Sequence, residues 1–157
     1  MITIDNRCIE LIEPSEGLFL NAYHDSIDPI GVDTIGYGTI QYPPTYLGGK
    51  KVKVGDPAIT KQQAIDFLMW EVREQTKVID PLLRDDLTVN QFNALTSFTY
   101  NEGCTRFKTS TLRSKVNANP NDPTIRDEFM KWVYAEGKVQ RGLVIRRKAE
   151  ADLYFTK

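Results

Sequence analysis

Two carboxylates in the first part of the chain could carry out acid–base chemistry together. Glu16 and Asp25 are separated by eight residues, and Thr34 follows in the same segment. Hydrolysis of a glycosidic bond uses such a pair, because one carboxylic acid protonates the leaving oxygen while a carboxylate acts from the opposite side of the sugar. Asp and Glu are also common surface residues, so the spacing alone leaves a purely structural interpretation open.

A β-hairpin is the element that would bring these side chains together. Between Glu16 and about Asp56, turn signals rich in Gly, Pro and Asp separate short segments rich in Val, Ile, Thr and Tyr. That pattern predicts a small antiparallel β-region. Apolar residues at helical spacing precede it and predict a short amphipathic helix, which Pro14 ends or kinks.

Helices are predicted after the β-region. Thr60 and Thr88 each open a capping-box pattern that an apolar stripe follows. Further helices are predicted from near Thr109 to Val116, from Ile125 to a closing Gly137, and from Gly142 to Tyr154. The predicted fold class is therefore α+β: a small antiparallel β-lobe at about 16–56, and a larger helical lobe at about 57–157 that also takes in the N-terminal helix.

Composition argues against several classes of function. The 157 residues carry 20 basic and 21 acidic side chains, so a net charge of −1 provides no general attraction for nucleic acid or an anionic membrane. The chain has one histidine, His24, and its two cysteines, Cys8 and Cys104, form no metal-ligand or redox motif. We therefore expect no metal, no cofactor and two free thiols, with a disulfide between the cysteines as the alternative.

The segment around the carboxylates has a family pattern. Residues 16–25 read EGLFLNAYHD, and residues 34–38 read TIGYG. Both stretches resemble the phage-type lysozymes, the T4-type endolysin family of glycoside hydrolases, whose signature is a Glu, an Asp and a Thr in this setting. The similarity continues in the same order through residues 52–64, 100–117 and 129–150. The resemblance implies a lysozyme-like fold, with one catalytic domain over residues 1–157 and an active-site cleft between the lobes.

The resemblance also implies residue roles. Glu16 would be the general acid, kept protonated near neutral pH by an apolar or shielded setting. Asp25 would stay ionised and activate water or stabilise charge at the sugar, and Thr34, facing it across the hairpin, would hold the water or the carboxylate. Tyr37 and Asn101 are candidate substrate-binding residues, with core packing and helix capping as their alternatives.

The chain departs from the family pattern after Asp25. Three more residues than usual separate it from Thr34, so that Asp28 has the expected spacing to Thr34. We favour Asp25 as the second carboxylate because it keeps the spacing to Glu16 and because a turn tolerates insertions, and Asp28 is the alternative. An Arg within residues 142–147 could orient Glu16, or a surface pair could join Arg146 to Glu150, one helical turn away.

The activity implied by the resemblance is that of a muramidase, which cuts the β-1,4 bond between N-acetylmuramic acid and N-acetylglucosamine in bacterial peptidoglycan. The chain starts without a basic stretch and apolar run, and nowhere do about 18 apolar residues follow one another. We therefore expect a monomeric phage endolysin, not inserted in a membrane, that waits in the host cytoplasm until a separate holin lets it reach the cell wall. The rival interpretations are an inactive glycan-binding protein of the same fold, and a chitinase or transglycosylase.

Overall fold

The structure is a computed structural model that describes residues 2–25 and 31–157. Its chain contacts form two compact units. One unit is Glu16–Val72, and the other combines the chain up to Ser15 with Arg73–Lys157. The first contains an antiparallel hairpin and the second is dominated by helices, so the predicted α+β class is confirmed.

The hairpin of the Glu16–Val72 unit has an irregular register. Strand β1 (Phe19–His24) pairs antiparallel with β2 (Asp33–Gly36), with Phe19 opposite Gly36 and Tyr23 opposite Thr34. Between these two pairs the chain advances four residues along β1 but only two along β2, so β1 contains a bulge. The Leu20 carbonyl within the bulge accepts a hydrogen bond from the Ile59 backbone N–H at 2.9 Å. This bond ties the bulged strand to the segment that leads into the next helix.

Helix α2 (Lys61–Ile79) follows, and the boundary between the units falls inside it, after Val72. The predicted capping box is present at its start: Thr60 Oγ1 accepts from the Gln63 backbone N–H at 3.1 Å, and Gln63 Oε1 accepts from the Thr60 N–H at 2.9 Å. One face of α2 is buried, as the apolar stripe predicts.

The helical unit is built around α3 (Val89–Glu102), against which α1 (Asn6–Ile12) and α7 (Arg141–Tyr154) pack. The predicted capping box of α3 is present, with Thr88 as its N-cap. Phe98, fully buried in α3, makes edge-on ring contacts with Phe107, Phe129 and Trp132 at centroid distances of 6.1, 5.8 and 5.4 Å. Three shorter helices complete this unit: α4 (Cys104–Lys108), α5 (Thr111–Ala118) and α6 (Ile125–Met130).

The prediction that Gly137 closes the helix beginning at Ile125 is wrong. Helix α6 ends at Met130, and a small hairpin follows, with β3 (Tyr134–Ala135) paired to β4 (Lys138–Val139). Glu136 and Gly137 form the two-residue turn, with φ of +52° and +75°. Two consecutive positive φ values are what a tight hairpin turn needs, and glycine supplies one of them without strain.

The two cysteines are free thiols in the structure. Cys8 is fully buried in α1, and burial raises the pKa of its thiol to about 12. Cys104 is half-buried at the start of α4. No helix in the described part of the chain is both long enough and apolar enough to cross a membrane.

Candidate active site

Glu16 opens the hairpin unit, directly after a 3₁₀ turn at Glu13–Ser15. The side chain is half-buried and its carboxylate lies against the turn at Gly38, where a Cβ would sit 3.6 Å from Glu16 Oε2. Gly38 has φ of +82°, a backbone conformation that side chains rarely adopt. The neighbouring apolar side chains of Leu18 and Phe19 are both exposed.

Asp25 and Thr34 lie at the end of the hairpin where the chain passes from β1 to β2. Asp25 is half-buried and directly follows β1, while Thr34 lies in β2 and is only 8% exposed. The direct cross-strand partner of Thr34 is Tyr23 rather than Asp25, which corrects the expected pairing by two residues. Because side chains alternate along a strand, Asp25 is expected on the same face as Tyr23, as the diagonal neighbour of Thr34. The Thr34 hydroxyl donates to the Val32 carbonyl at 3.3 Å.

Asp28, the alternative second carboxylate, lies outside the described residues. The residues on either side of that gap are described. His24 Nδ1 hydrogen-bonds to Asp33 Oδ1 at 2.8 Å, and the hydrogen bond from His24 lowers the pKa of Asp33, with a further contribution from the backbone N–H of Val54. Sequence reasoning missed this pair. Its only signal was that the single histidine directly precedes Asp25.

Tyr37 is buried, at 5% exposure, within the turn that follows β2. This burial favours the core-packing interpretation of Tyr37, because little of the side chain is left to contact a sugar. Asn101, in the other unit, is exposed near the end of α3, and its Oδ1 accepts a hydrogen bond from the guanidinium of Arg147. The helix itself ends at Gly103, whose φ is +94°.

A buried group of charges holds that end of α3 to α7. Arg147, fully buried, donates to both oxygens of Glu150 at 2.5 and 2.6 Å, to the Trp132 carbonyl at 3.0 Å, and to Glu102 at 3.3 Å. Arg146 donates to Glu150 at 3.2 Å. Burial raises the pKa of Glu150 to about 7 and lowers the pKa of Arg147, while the opposite charges of the two side chains counteract both shifts.

The pairing of Arg146 with Glu150, one of the two alternatives for the arginines of residues 142–147, is therefore present, but it is not a surface pair, since both side chains are buried. The full burial of Arg147 was not foreseen. The signal that could have found it was two adjacent arginines with one glutamate three and four residues later, which points both cations at one carboxylate. Among residues 2–25 and 31–157, no group of three or more His, Cys, Asp and Glu side chains could hold a metal ion.

Known proteins share this arrangement of sequence and fold. The family model described as phage lysozyme matches residues 13–150. The endolysin of Bacillus phage B103 is 37% identical over 155 residues, which are 99% of this chain and 55% of that protein. The endolysin of Acyrthosiphon pisum secondary endosymbiont phage 1 is 34% identical over 155 residues, covering 96% of this chain and 97% of that protein.

The structural comparison agrees. The solved endolysin from Escherichia coli O157:H7 phage FAHEc1 superposes with a TM-score of 0.77 at 35% identity, covering 98% of this chain and 94% of that one. The mixed fold, with a small antiparallel hairpin and several helices, is that of the solved phage lysozymes. The chain belongs to the phage lysozyme family. It spans about half the length of the B103 endolysin.

Proposed function

We propose that this chain hydrolyses the β-1,4 bond between N-acetylmuramic acid and N-acetylglucosamine in peptidoglycan, and that it acts as an endolysin in lysis of the host cell. The proposal treats residues 1–157 as one lysozyme-like catalytic domain. The observation that carries it is the common location of Glu16, Asp25 and Thr34 in one compact unit, with Thr34 next to the base of the turn that follows Asp25.

Glu16 is proposed as the general acid. Its carboxyl group would donate a proton to the glycosidic oxygen as the bond to the anomeric carbon breaks. Gly38 is compatible with this role, because position 38 carries no side chain to cover Glu16 Oε2 from that side. A protonated carboxyl is needed for this step, because only that form can donate to the leaving oxygen.

Asp25 and Thr34 are proposed to act on the attacking water. Because the Thr34 hydroxyl donates a hydrogen bond to the Val32 carbonyl, its lone pairs remain to accept a hydrogen bond from water. Asp25 would accept the other hydrogen as the water oxygen bonds to the anomeric carbon, or would stabilise the positive charge that develops at the sugar. Asp25 directly follows β1 and is the proposed second carboxylate, and Asp28, which lies outside the described residues, stays the alternative.

Asn101 is proposed to bind the substrate. The bond from Arg147 to Oδ1 fixes the orientation of the side-chain amide, so that its NH₂ group remains to donate to an acetamido carbonyl. Tyr37 is proposed to act mainly by packing, given its burial.

The test is digestion of purified peptidoglycan. The loss of turbidity gives the rate, and mass spectrometry identifies the released fragments. Wild type is expected to produce N-acetylmuramic reducing ends, and Glu16→Gln and Asp25→Asn are expected to lose at least about 100-fold in rate, as loss of an acid or base does. Glu13→Gln, in the preceding turn, is the matched control and should stay active. Loss with Asp28→Asn in place of Asp25→Asn would move the second carboxylate.

The same experiment separates the rivals. A folded wild type that binds peptidoglycan without cutting it would indicate a glycan-binding protein. Full activity of Asp25→Asn and Asp28→Asn, with anhydro-sugar products, would indicate a transglycosylase that needs only one carboxylate. Action as a monomer and retention in the host cytoplasm until a holin acts stay predictions, and lysis in cells that lack any pore-forming protein would contradict the second.

A further inference from the structure

The base of the turn between β1 and β2 is held by two side chains. His24 and Asp33 are the last paired residues of the hairpin, and their side chains are joined by the bond from His24 Nδ1 to Asp33 Oδ1 at 2.8 Å. Asp25 is the next residue after His24. Whatever fixes His24 therefore sets the point from which the Asp25 side chain leaves the hairpin.

Asp33 is itself fixed from a second direction. Its other oxygen, Oδ2, accepts the Val54 backbone N–H at 2.9 Å. The carboxylate thus joins the hairpin to the segment around Val54, twenty-one residues further along the chain. The pKa of Asp33 is lowered, first by the bond from His24 and then by that from Val54, so the ionised acceptor is the form that the fold stabilises. Lys53 adds a smaller attraction of the same sign.

The imidazole of His24 also covers the far end of the turn. Gly31 has φ of +58°, and a Cβ on Gly31 would lie 2.3 Å from His24 Cε1 and 2.5 Å from Nε2. A side chain at position 31 would have to displace the imidazole, so the His24 ring lies against Gly31. His24 consequently contacts both Asp33 and Gly31, although 58% of its side chain is exposed.

We propose that His24, held by Asp33, is a positioning residue for Asp25 in the cleavage reaction. The proposal rests on the proposed function, in which Asp25 is the second carboxylate. Eight residues lie between the paired His24 and Asp33, more than the roughly 2–5 of most hairpin loops, and a longer connection constrains its ends less. The bond between His24 and Asp33 supplies that constraint next to the reacting group, where a displacement of about 1 Å can cost about 100-fold in rate.

The test compares the steady-state kinetics and the urea unfolding midpoints of single and double variants. His24→Ala and Asp33→Ala are each expected to lower kcat by about 10- to 100-fold with KM changed less than about 2-fold. His24→Asn is expected to recover most of the loss, because its side-chain amide N–H can take the place of Nδ1–H. The double variant should be no slower than the slower single variant, since both remove one interaction.

A similar bridge in the same unit provides the matched control. Lys50 Nζ lies 2.7 Å from Asp56 Oδ1, and Asp56 Oδ2 accepts the Lys53 backbone N–H at 2.9 Å, but neither residue adjoins Asp25 or Thr34. Lys50→Ala is therefore expected to keep the wild-type kcat. An equal loss of kcat in Lys50→Ala and His24→Ala would overturn the proposal, because general loosening of the unit would then explain both.

Asp25→Asn, measured in parallel, distinguishes the two proposals. An inactive Asp25→Asn beside a fully active His24→Ala overturns only the positioning role. An active Asp25→Asn overturns the assignment of the second carboxylate itself, and the positioning role with it. Loss of kcat in His24→Ala with a wild-type urea midpoint, together with recovery in His24→Asn, supports the proposal.

Discussion

Replacing the buried carboxylate of Glu150 by an amide tests how the helical unit is stabilised. In Glu150→Gln the side chain keeps its shape, but one of its oxygens becomes an NH₂ group. That donor would face the Arg147 and Arg146 donors, which now contact the carboxylate at 2.5 to 3.2 Å. Two buried guanidinium groups would therefore lose their main counter-charge.

The expected loss is large relative to the stability of the protein. Removing one partner of a buried ion pair costs about 3–5 kcal/mol, and a domain has about 5–15 kcal/mol in total. For a chain of this length each kcal/mol lowers Tm by about 2–4 °C, so a decrease of roughly 6–20 °C follows. Asp152→Asn is the control on the same helix, because its pair with Arg126 at 2.7 Å is exposed and such pairs contribute at most about 1 kcal/mol.

The assay is urea unfolding at pH 8, monitored by circular dichroism. This pH is above the pKa of Glu150, which burial raises to about 7. At that pH the wild-type carboxylate is ionised and the comparison with glutamine isolates its charge. A loss below about 1 kcal/mol, equal to that of Asp152→Asn, would refute the reasoning. It would mean that Glu150 is a neutral hydrogen-bonding group rather than the counter-charge of the arginines.

Three further predictions concern other parts of the helical unit. Glu136→Gly should stabilise the protein by up to about 1 kcal/mol and Gly137→Ala should destabilise it by at least as much in urea unfolding, because both positions have positive φ. The Glu128 carboxylate pairs with Lys115 and Lys131. Burial raises its pKa, but the two lysines outweigh that effect and hold the pKa of folded Glu128 below the ordinary value of 4.5. The contribution of Glu128 to stability is therefore fully present above pH 4.5 and is lost as the pH falls through the pKa of the folded state. The urea midpoint of Glu128→Gln should consequently fall less than that of wild type between pH 5 and about pH 3. A thiol reagent should modify Cys104 in the native protein and reach Cys8 only on unfolding, since Cys8 is fully buried with a raised pKa.

Each of these has a result that contradicts it. Equal effects of the two turn substitutions would mean that the hairpin does not impose the left-handed backbone at Gly137. Identical acid profiles of wild type and Glu128→Gln would remove the lysine contacts as a source of stability. Rapid native modification of Cys8 would show that α1 opens without unfolding of the unit.

Helix starts were predictable because their signals are local. Thr60 and Thr88 begin α2 and α3 as predicted, since a capping box is formed by residues three apart, whatever lies around them. Gly137 was misread for the same reason. A glycine after a helical pattern suits a helix C-terminus and a hairpin turn equally, and the pairing of Tyr134 with Val139 that decides between them is a tertiary outcome.

The candidate site also has features that the sequence predicts and features that only the tertiary structure decides. The residues in the family pattern could be named from the sequence, because a pattern preserves types and spacing. Their surroundings could not: the bulge that moves the partner of Thr34 to Tyr23, and the bond from His24 to Asp33, depend on register. The burial of Arg147 depends on α3 and α7 packing together, which spacing along one helix cannot reveal.

The pairing of α1 with α3 has a consequence for synthesis on the ribosome. Asp5 exchanges hydrogen bonds with Asn93, which is 88 residues later and emerges about 4–18 s after it at ordinary rates of translation. An isolated helix of seven residues is not stable in water, so until then Ile9 and Ile12 remain on an unfolded nascent segment. The intervening Glu16–Val72 chain is complete before α3 exists. The first apolar residues to be made are thus among the last to be buried, and they are the natural target for a chaperone during that interval.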